Sequence, residues 1–271
     1  MRIYEPAGRA REYSPLAVNI YKGKCPHQCE YCYVKRFPSP VYTKNECVAP
    51  TEADFIELEE SAKSYHGCNK QILLCFTGDP YCGVNPEASR RVLEILNRYE
   101  HKVAILTKGG NRLLQDIDLF KQFRTTFESG KTVGRIIVGA TLTFDNDTDS
   151  KHWEPYSALP QERIDSLRKL SEAGIFTWVS FEPVIYPEQS INLLKQVSSF
   201  IKFVKIGKIN NYGDWDKDVD WDDFIKQSVA ICRKANVLFY IKDDLAQFNR
   251  STELTPQERN PDYLTMRFIK K

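Results

Sequence analysis

No run of apolar residues in the 271-residue sequence approaches the roughly 20 needed to cross a bilayer, and "MRIYEPAGRAREYSPL" lacks the apolar centre of a secretion signal. A cytoplasmic protein with no membrane partner is the expectation. No Pro/Gly/Ser-rich linker, internal repeat or low-complexity tract divides the chain. The reading is one principal domain, 16–249, with extensions at 1–15 and 250–271. Net charge is also scarce: +2 is too little to indicate a nucleic-acid partner by itself. With 42% apolar and 27% charged residues, the chain has an ordinary globular balance and can bury a sizeable core. In a reducing compartment its eight cysteines are poor candidates for a disulfide framework. Where they cluster they point to metal or redox chemistry; where they scatter, to buried thiols.

The small net charge hides an uneven distribution. Residues 1–44 hold eight Lys/Arg against three Glu, whereas "DWDKDVDWDD" (214–223) carries six aspartates and one lysine and would repel a phosphate backbone. Its Asp-x-Asp-x-Asp spacing suggests a calcium loop, but Val219 stands where the turn glycine belongs and Ile225 where the bidentate Glu belongs. A solvated acidic loop is the better reading.

Short apolar runs alternate with longer amphipathic segments. The predicted strands are 16–21, 71–76, 102–107, 135–144, 176–183, 203–209 and 237–242. Helices are predicted over 51–65 with Thr51 as cap, 85–99 with Asn85 as cap and Pro86 at the first helical position, and 159–174 closing on Gly174. Segments 112–124, 187–200 and 221–235 continue the pattern. Repeated strand–helix units imply parallel strands, because a parallel connection needs a crossover long enough to hold a helix. Six or seven units form a barrel or an open part of one, with functional groups at the carboxyl ends of the strands.

At that end of the first strand lies "YKGKCPHQCEYCYVKRF" (21–37), with Cys25, Cys29 and Cys32 spaced C-x3-C-x2-C. Three thiolates on one tight loop can bind three irons of a cubane and leave the fourth open, whereas structural zinc prefers four protein ligands in two separated pairs. His27 could be invoked as a fourth ligand, but inside the loop its reach to the same metal is strained. Three unrelated buried thiols fit poorly with so polar a loop.

This motif, with Tyr31 before the last cysteine and placed after the first strand of a strand–helix repeat, resembles the radical S-adenosylmethionine (SAM) superfamily. Within it the chain most resembles the spore photoproduct lyase-like group, through "LAVNIYKGKCPHQCEYCYVKRF", "FTGDPYCGVNPEASRRVLEIL", "VAILTKGGNRLLQDIDLF", "ATLTFDNDTDSKHWEPYSALPQERIDSLRKLSEAG" and "SFEPVIYP". The resemblance implies an α/β fold, a partial (β/α)6 TIM-type barrel with an extra C-terminal strand, and a 4Fe-4S cluster on Cys25, Cys29 and Cys32. It also implies S-adenosyl-L-methionine on the open iron, an electron donor such as flavodoxin or ferredoxin, and a 5′-deoxyadenosyl radical that takes a hydrogen atom from substrate.

That chemistry needs acceptors for the methionyl ammonium, a donor for its carboxylate and polar partners for the ribose. Gly78 and Asp79 of "TGDP" correspond to the ammonium-binding turn, though the tetrapeptide would serve any strand-to-helix connection. Lys108 in "LTKGG" is placed for the carboxylate, Tyr31 for the adenine, and Thr141, Thr143, Ser180 and Glu182 for the ribose. Alternation puts Thr141 with Thr143, and Ser180 with Glu182, on one face each. Lys208 is a candidate contact for an anionic part of the substrate. Cys82 is the candidate hydrogen-atom donor among the scattered cysteines. Spore photoproduct lyases carry a donor cysteine immediately before the Thr of the second-strand turn; here Phe76 stands there, and Cys75 is one residue earlier, on the opposite face. That departure counts against thymine-dimer repair and leaves the radical chemistry untouched.

For the substrate, the subgroup resemblance and the basic region with Tyr31, Tyr33 and Tyr42 favour DNA or a nucleotide. The alternative is radical modification of a peptide, tRNA base or small metabolite, and the acidic 214–223 loop argues against a large polyanion crossing that side. A non-catalytic iron–sulfur redox sensor or zinc-binding scaffold is the third reading, and neither needs the 77–80 turn or Lys108.

Overall fold

A computed structural model describes residues 1–43, 45–126, 128–210, 212–215 and 217–261. Lys44 and Asp216, which enter the charge pattern above, and the last ten residues of the expected C-terminal extension lie outside the described residues.

The chain begins with an extended segment and a 3-10 turn, Gly8–Glu12, before β1 (Leu16–Val18), the cysteine loop, α1 (Pro40–Thr43), α2 (Glu52–Ser64) and β2 (Gln71–Leu74). It continues through α3 (Pro86–Arg98), β3 (Lys102–Thr107), a 3-10 segment Gly110–Asp116, α4 (Ile117–Phe120), and the hairpin β4 (Arg124–Thr126) and β5 (Thr132–Gly134). Then follow β6 (Ile136–Thr141), α5 (Asp147–Trp153), α6 (Pro160–Glu172), β7 (Phe176–Val184), α7 (Pro187–Val197), β8 (Phe203–Lys208), α8 (Trp221–Lys234), β9 (Leu238–Ile241) and α9 (Asp243–Ala246). The caps read from the sequence form as hydrogen bonds. Thr51 makes a capping box with Asp54, and Asn85 accepts from Glu87 N with Pro86 in the first turn.

Seven strands pair in parallel in the order β1-β2-β3-β6-β7-β8-β9, one for each predicted strand segment, giving the α/β architecture with β9 as the extra strand. Both faces are buried, as helices outside and side chains inside require. The inner face gathers Leu73, Ala104, Ile137, Trp178, Phe203 and Tyr240 from six strands. Trp178 crosses over β6 to donate its indole N–H to Ile105 O at 3.0 Å. A Cβ on Gly139 would stand 2.6 Å from that indole, so only glycine leaves it room.

Residues 1–15 are packed into the molecule. Tyr4 bridges Ala17 on the free edge of β1, and the chain then crosses to the other edge. There Glu12 accepts from Tyr240 Oη at 2.8 Å and Asp243 N at 2.9 Å. Tyr13 enters the interior between Phe76 and Trp178, both at 6.3 Å between ring centroids. The segment thus spans the gap between the two end strands.

The predicted helix over 112–124 is corrected to a 3-10 segment and one four-residue helix, after which Arg124 already pairs with Gly134 in the hairpin. Threonines flanking Gly130, whose φ of 76° suits a turn, override the helical spacing. A second departure is α5, a short helix capped by Asn146, which accepts from Asp149 N at 2.9 Å. It delivers the segment 153–158 to the mouth of the barrel.

Candidate active site

The cysteine loop is built from single turns. Gln28 N donates to Cys25 O, Cys32 N to Cys29 O and Lys35 N to Cys32 O, each at 3.2 Å. These turns carry the three thiols on one short stretch after β1. Burial pushes the Cys25 thiol well up and the Cys29 thiol up to about 11, so binding to iron must remove their protons. Among the described residues no three His, Cys, Asp or Glu side chains converge as ligands of a single metal ion. A cubane asks for something else, since each cysteine ligates a different iron.

Two neighbours hold this loop. His27, whose reach to a shared metal the loop makes strained, is 2% exposed: Nδ1 pairs with Tyr156 O at 3.0 Å, and Nε2 lies 3.3 Å from Asp79 Oδ2. Glu30 N donates to Trp153 O at 2.8 Å. The chain after α5 and the turn after β2 therefore grip the loop from two sides.

Asp79 is occupied by the protein itself. Oδ1 accepts from Tyr81 N (2.8 Å) and Thr107 Oγ1 (2.6 Å), and Oδ2 from Lys108 N (2.6 Å) while facing His27. Although burial alone would raise its pKa, the His27 charge and these hydrogen bonds hold it well below the usual carboxylate range. Its lone pairs are filled, so Asp79 braces the turn, and the expectation that it receives a ligand ammonium is not carried by its bonding. Gly78 and Thr77 are what the turn leaves open. A Cβ on Gly78 would meet nothing within 4 Å, and the buried Thr77 Oγ1 has no hydrogen-bond partner. Asn19, from the end of β1, aligns the turn by accepting from Phe76 N and Thr77 N.

The other wall centres on Glu154, which the sequence reading missed. Its side chain is fully buried; Oε1 accepts from the Tyr31 hydroxyl and from Thr143 Oγ1 (3.2 Å), and Oε2 from Arg163. Arg163 is 1% exposed and also donates to Ala158 O (2.7 Å) and Thr141 O (3.0 Å), a use of the planar fork that lysine could not copy. Lys108 Nζ stands 3.9 Å from Glu154 and 5.6 Å above the Tyr31 ring. Burial would depress the lysine, but Cys29 and Glu154 beside it keep it charged. Glycines allow the strap 153–158 to seat: at Gly110, φ 58°, a Cβ would lie 2.5 Å from Ala158 Cβ and 2.3 Å from Glu162 Oε1.

Thr143, Lys108 and Tyr31 are thus brought together. Thr141, Ser180 and Glu182 share the inner side of the sheet, but Ser180 Oγ bonds the Tyr13 hydroxyl at 2.7 Å, and Glu182 accepts from Tyr13 and, through both oxygens, from Lys242 Nζ at 2.6 and 2.8 Å. Ser180 and Glu182 form a second group, with partners from the N-terminal segment and from the residue that follows β9, while the Thr141 carbonyl belongs to Arg163. Two candidates lie elsewhere. Lys208 turns to its own strand end, 3.2 Å from Ile209 O, and stands 5.6 Å over the Phe248 ring. Cys82 is 6% exposed in the layer between sheet and helices, against the Cys47 thiol, so its placement does not carry the hydrogen-donor role. Cys75 occupies the same outer layer while Phe76 packs with the inner cluster, the facing that the one-residue offset required.

A family model described as the radical SAM superfamily matches residues 19–201. An uncharacterized protein of Methanocaldococcus jannaschii is 30% identical over 173 residues, 62% of this chain and 60% of that protein. The chain therefore spans less than two thirds of that curated relative's length. A spore photoproduct lyase variant with bound AdoMet and dinucleoside spore photoproduct superposes with a TM-score of 0.61 at 10% identity, over 84% of this chain and 76% of that one. SuiB from Streptococcus suis bound to S-adenosylmethionine gives 0.58 at 14% identity, over 86% and 53%. At these identities the two structures are evidence of the shared fold alone. The family match over most of the barrel, with a C-x3-C-x2-C loop at the end of its first strand, makes the chain a member of the radical SAM superfamily.

Proposed function

We propose that this chain binds its cluster through Cys25, Cys29 and Cys32 and receives the carboxylate of S-adenosylmethionine at Lys108. The superfamily's cofactors are a 4Fe-4S cluster and S-adenosylmethionine, and together they supply reductive cleavage of the sulfonium to a 5′-deoxyadenosyl radical. The residues present fit both. The donor set is three thiols on one loop, and the neighbouring turn offers an open backbone at Gly78 and an unpartnered hydroxyl at Thr77.

The observation that carries the assignment is a charge imbalance. Two cations, the buried Arg163 and the largely buried Lys108, whose side chain keeps 16% exposure, share one carboxylate, Glu154; Arg163 has it by hydrogen bond and Lys108 only at 3.9 Å. A buried ammonium without a full partner is costly, and a ligand carboxylate would complete it. Lys108 orients that carboxylate, the Tyr31 ring offers a face to the adenine, and Thr77 an oxygen to the ammonium.

For substrate we propose a nucleic acid or nucleotide. Lys24, Lys35 and Arg36 are exposed around the cysteine loop, and Tyr33 is 50% exposed beside them. The same positive surface suits an acidic one-electron donor such as flavodoxin or ferredoxin. Asp214, Asp218, Asp220 and Asp222 argue against a large polyanion crossing their side and favour the other reading in its uncharged forms, a peptide or small metabolite.

The test is anaerobic reconstitution with iron and sulfide, then dithionite and S-adenosylmethionine, reading 5′-deoxyadenosine. Iron loading with product formation is expected, both lost in Cys29→Ala. Failure to take up iron, or a reduced cluster that yields no 5′-deoxyadenosine, would sink the enzyme reading in favour of a sensor or scaffold. Single-stranded DNA, a dinucleotide, tRNA and a peptide mixture are then compared for deuterium uptake from solvent.

A further inference from the structure

We infer that Glu154 is a positioning residue for the cofactor, fixing the Tyr31 ring and the Lys108 ammonium in one arrangement before the cofactor arrives. The inference rests on the proposed function above. Glu154 lies at the C-cap of α5, on a strap that touches both the cysteine loop and the Lys108 segment. Trp153 O takes Glu30 N of the cysteine loop, Tyr156 O takes His27, and Ala158 N donates to Lys108 O at 3.0 Å.

Within this frame the carboxylate divides its two oxygens. Oε2 is held by Arg163, whose other donors fix it to the strap and to β6, so the carboxylate cannot rotate. Oε1 accepts from Tyr31 and Thr143 and faces Lys108. Tyr31 precedes a ligand cysteine, and a phenol needs a buried acceptor to keep one ring orientation. Glu154 supplies it. Lys108, drawn toward the same oxygen but 3.9 Å away, keeps its donors for a second anion. The Glu154 carboxylate thereby couples Tyr31, the adenine contact, to Lys108, the contact for the ligand carboxylate, without itself touching the cofactor.

Tyr31→Phe removes the hydroxyl and keeps the ring, Glu154→Gln removes the charge, and Glu154→Asp restores the charge one methylene short. Reconstituted variants are compared for iron content, for S-adenosylmethionine affinity by equilibrium binding, and for the change that S-adenosylmethionine produces in the electron paramagnetic resonance spectrum of the reduced cluster. Iron content close to wild type is expected in Tyr31→Phe, with affinity down roughly tenfold, the scale of one hydrogen bond to a charged group. The spectral change should broaden into more than one species. Glu154→Gln should lose more affinity, and Glu154→Asp should recover part of it. If Glu154→Gln does not fold, Tyr31→Phe decides. Wild-type affinity and an unaltered spectral change in Tyr31→Phe would overturn the inference and leave Glu154 a structural ion. Failure of the wild type to bind S-adenosylmethionine would instead count against the proposed function.

Discussion

Two ion clusters line the interior of the barrel on the neighbouring strands β6 and β7, and they are built for opposite ends. On the cofactor side Glu154 is fully buried and shared between Arg163 and Lys108, so positive charge is in excess. In the second cluster Glu12 and Glu182 match Lys205 and Lys242, with Tyr13 and Tyr240 donating to the carboxylates. Lys205 also caps the carbonyls of Glu12 and Tyr13. The charges there are balanced, and the Glu182 side chain keeps 19% exposure. One cluster is the proposed seat of an incoming anion, and the other ties the N-terminal segment to the β9 end of the sheet. Buried charge marks a binding site only where the count is left uneven; where it closes, it holds strands together.

The largest test of this contrast is stability. Glu154→Ala strands Arg163 in the interior and should cost about 3–5 kcal/mol, whereas Glu182→Ala, which lets water reach Lys242, should cost about 1–3 kcal/mol. Denaturant midpoints of the cluster-free proteins give both, and equal losses would erase the distinction. Next comes ligand affinity. Lys108→Met should weaken S-adenosylmethionine binding about tenfold or more, and Lys242→Met by no more than about twofold. A comparable loss in both would place the cofactor elsewhere.

Acidification separates the sides more finely. Burial would raise Glu154, but the charges of Arg163 and Lys108 and the Tyr31 hydrogen bond hold it below its ordinary value, as His27 and its neighbours do for Asp79. A carboxylate lowered in the fold contributes stability that is fully present above the unfolded value near about 4 and is lost as pH falls through the folded value. The wild type should therefore lose stability more steeply below about pH 4 than Glu154→Gln, with similar slopes between about pH 5 and 7. The smallest effect belongs to Tyr13→Phe, about 1 kcal/mol for one hydroxyl between Ser180 and Glu182, with S-adenosylmethionine binding unchanged.

The strand pattern was legible because parallel strands buried on both faces read as short apolar runs, and the caps at Thr51 and Asn85 because their signals are local. The cysteine loop was legible for the same reason. Glu154 and Arg163 were not, since "HWEPYSALPQER" reads as a loop entering a helix and nothing local says that its carboxylate reaches Tyr31, 123 residues away in sequence. "LTKGG" held a usable signal, because a glycine pair announces close approach, but it could not name the strap that approaches. Asp79 shows the converse: its place in the turn was readable, while its four neighbours, from three parts of the chain, were not.

By itself the sequence determined the repeat of strands and helices and the three thiols, close together after the first strand, that are proposed to hold the cluster. Each depends on residues within one turn or one strand of each other, where spacing alone fixes geometry. Only the tertiary structure decided which carboxylates face ligand and which face protein. A buried charge takes its meaning from partners far off in the chain: it stays free for a cofactor or is spent on the fold according to what packing brings within hydrogen-bond reach.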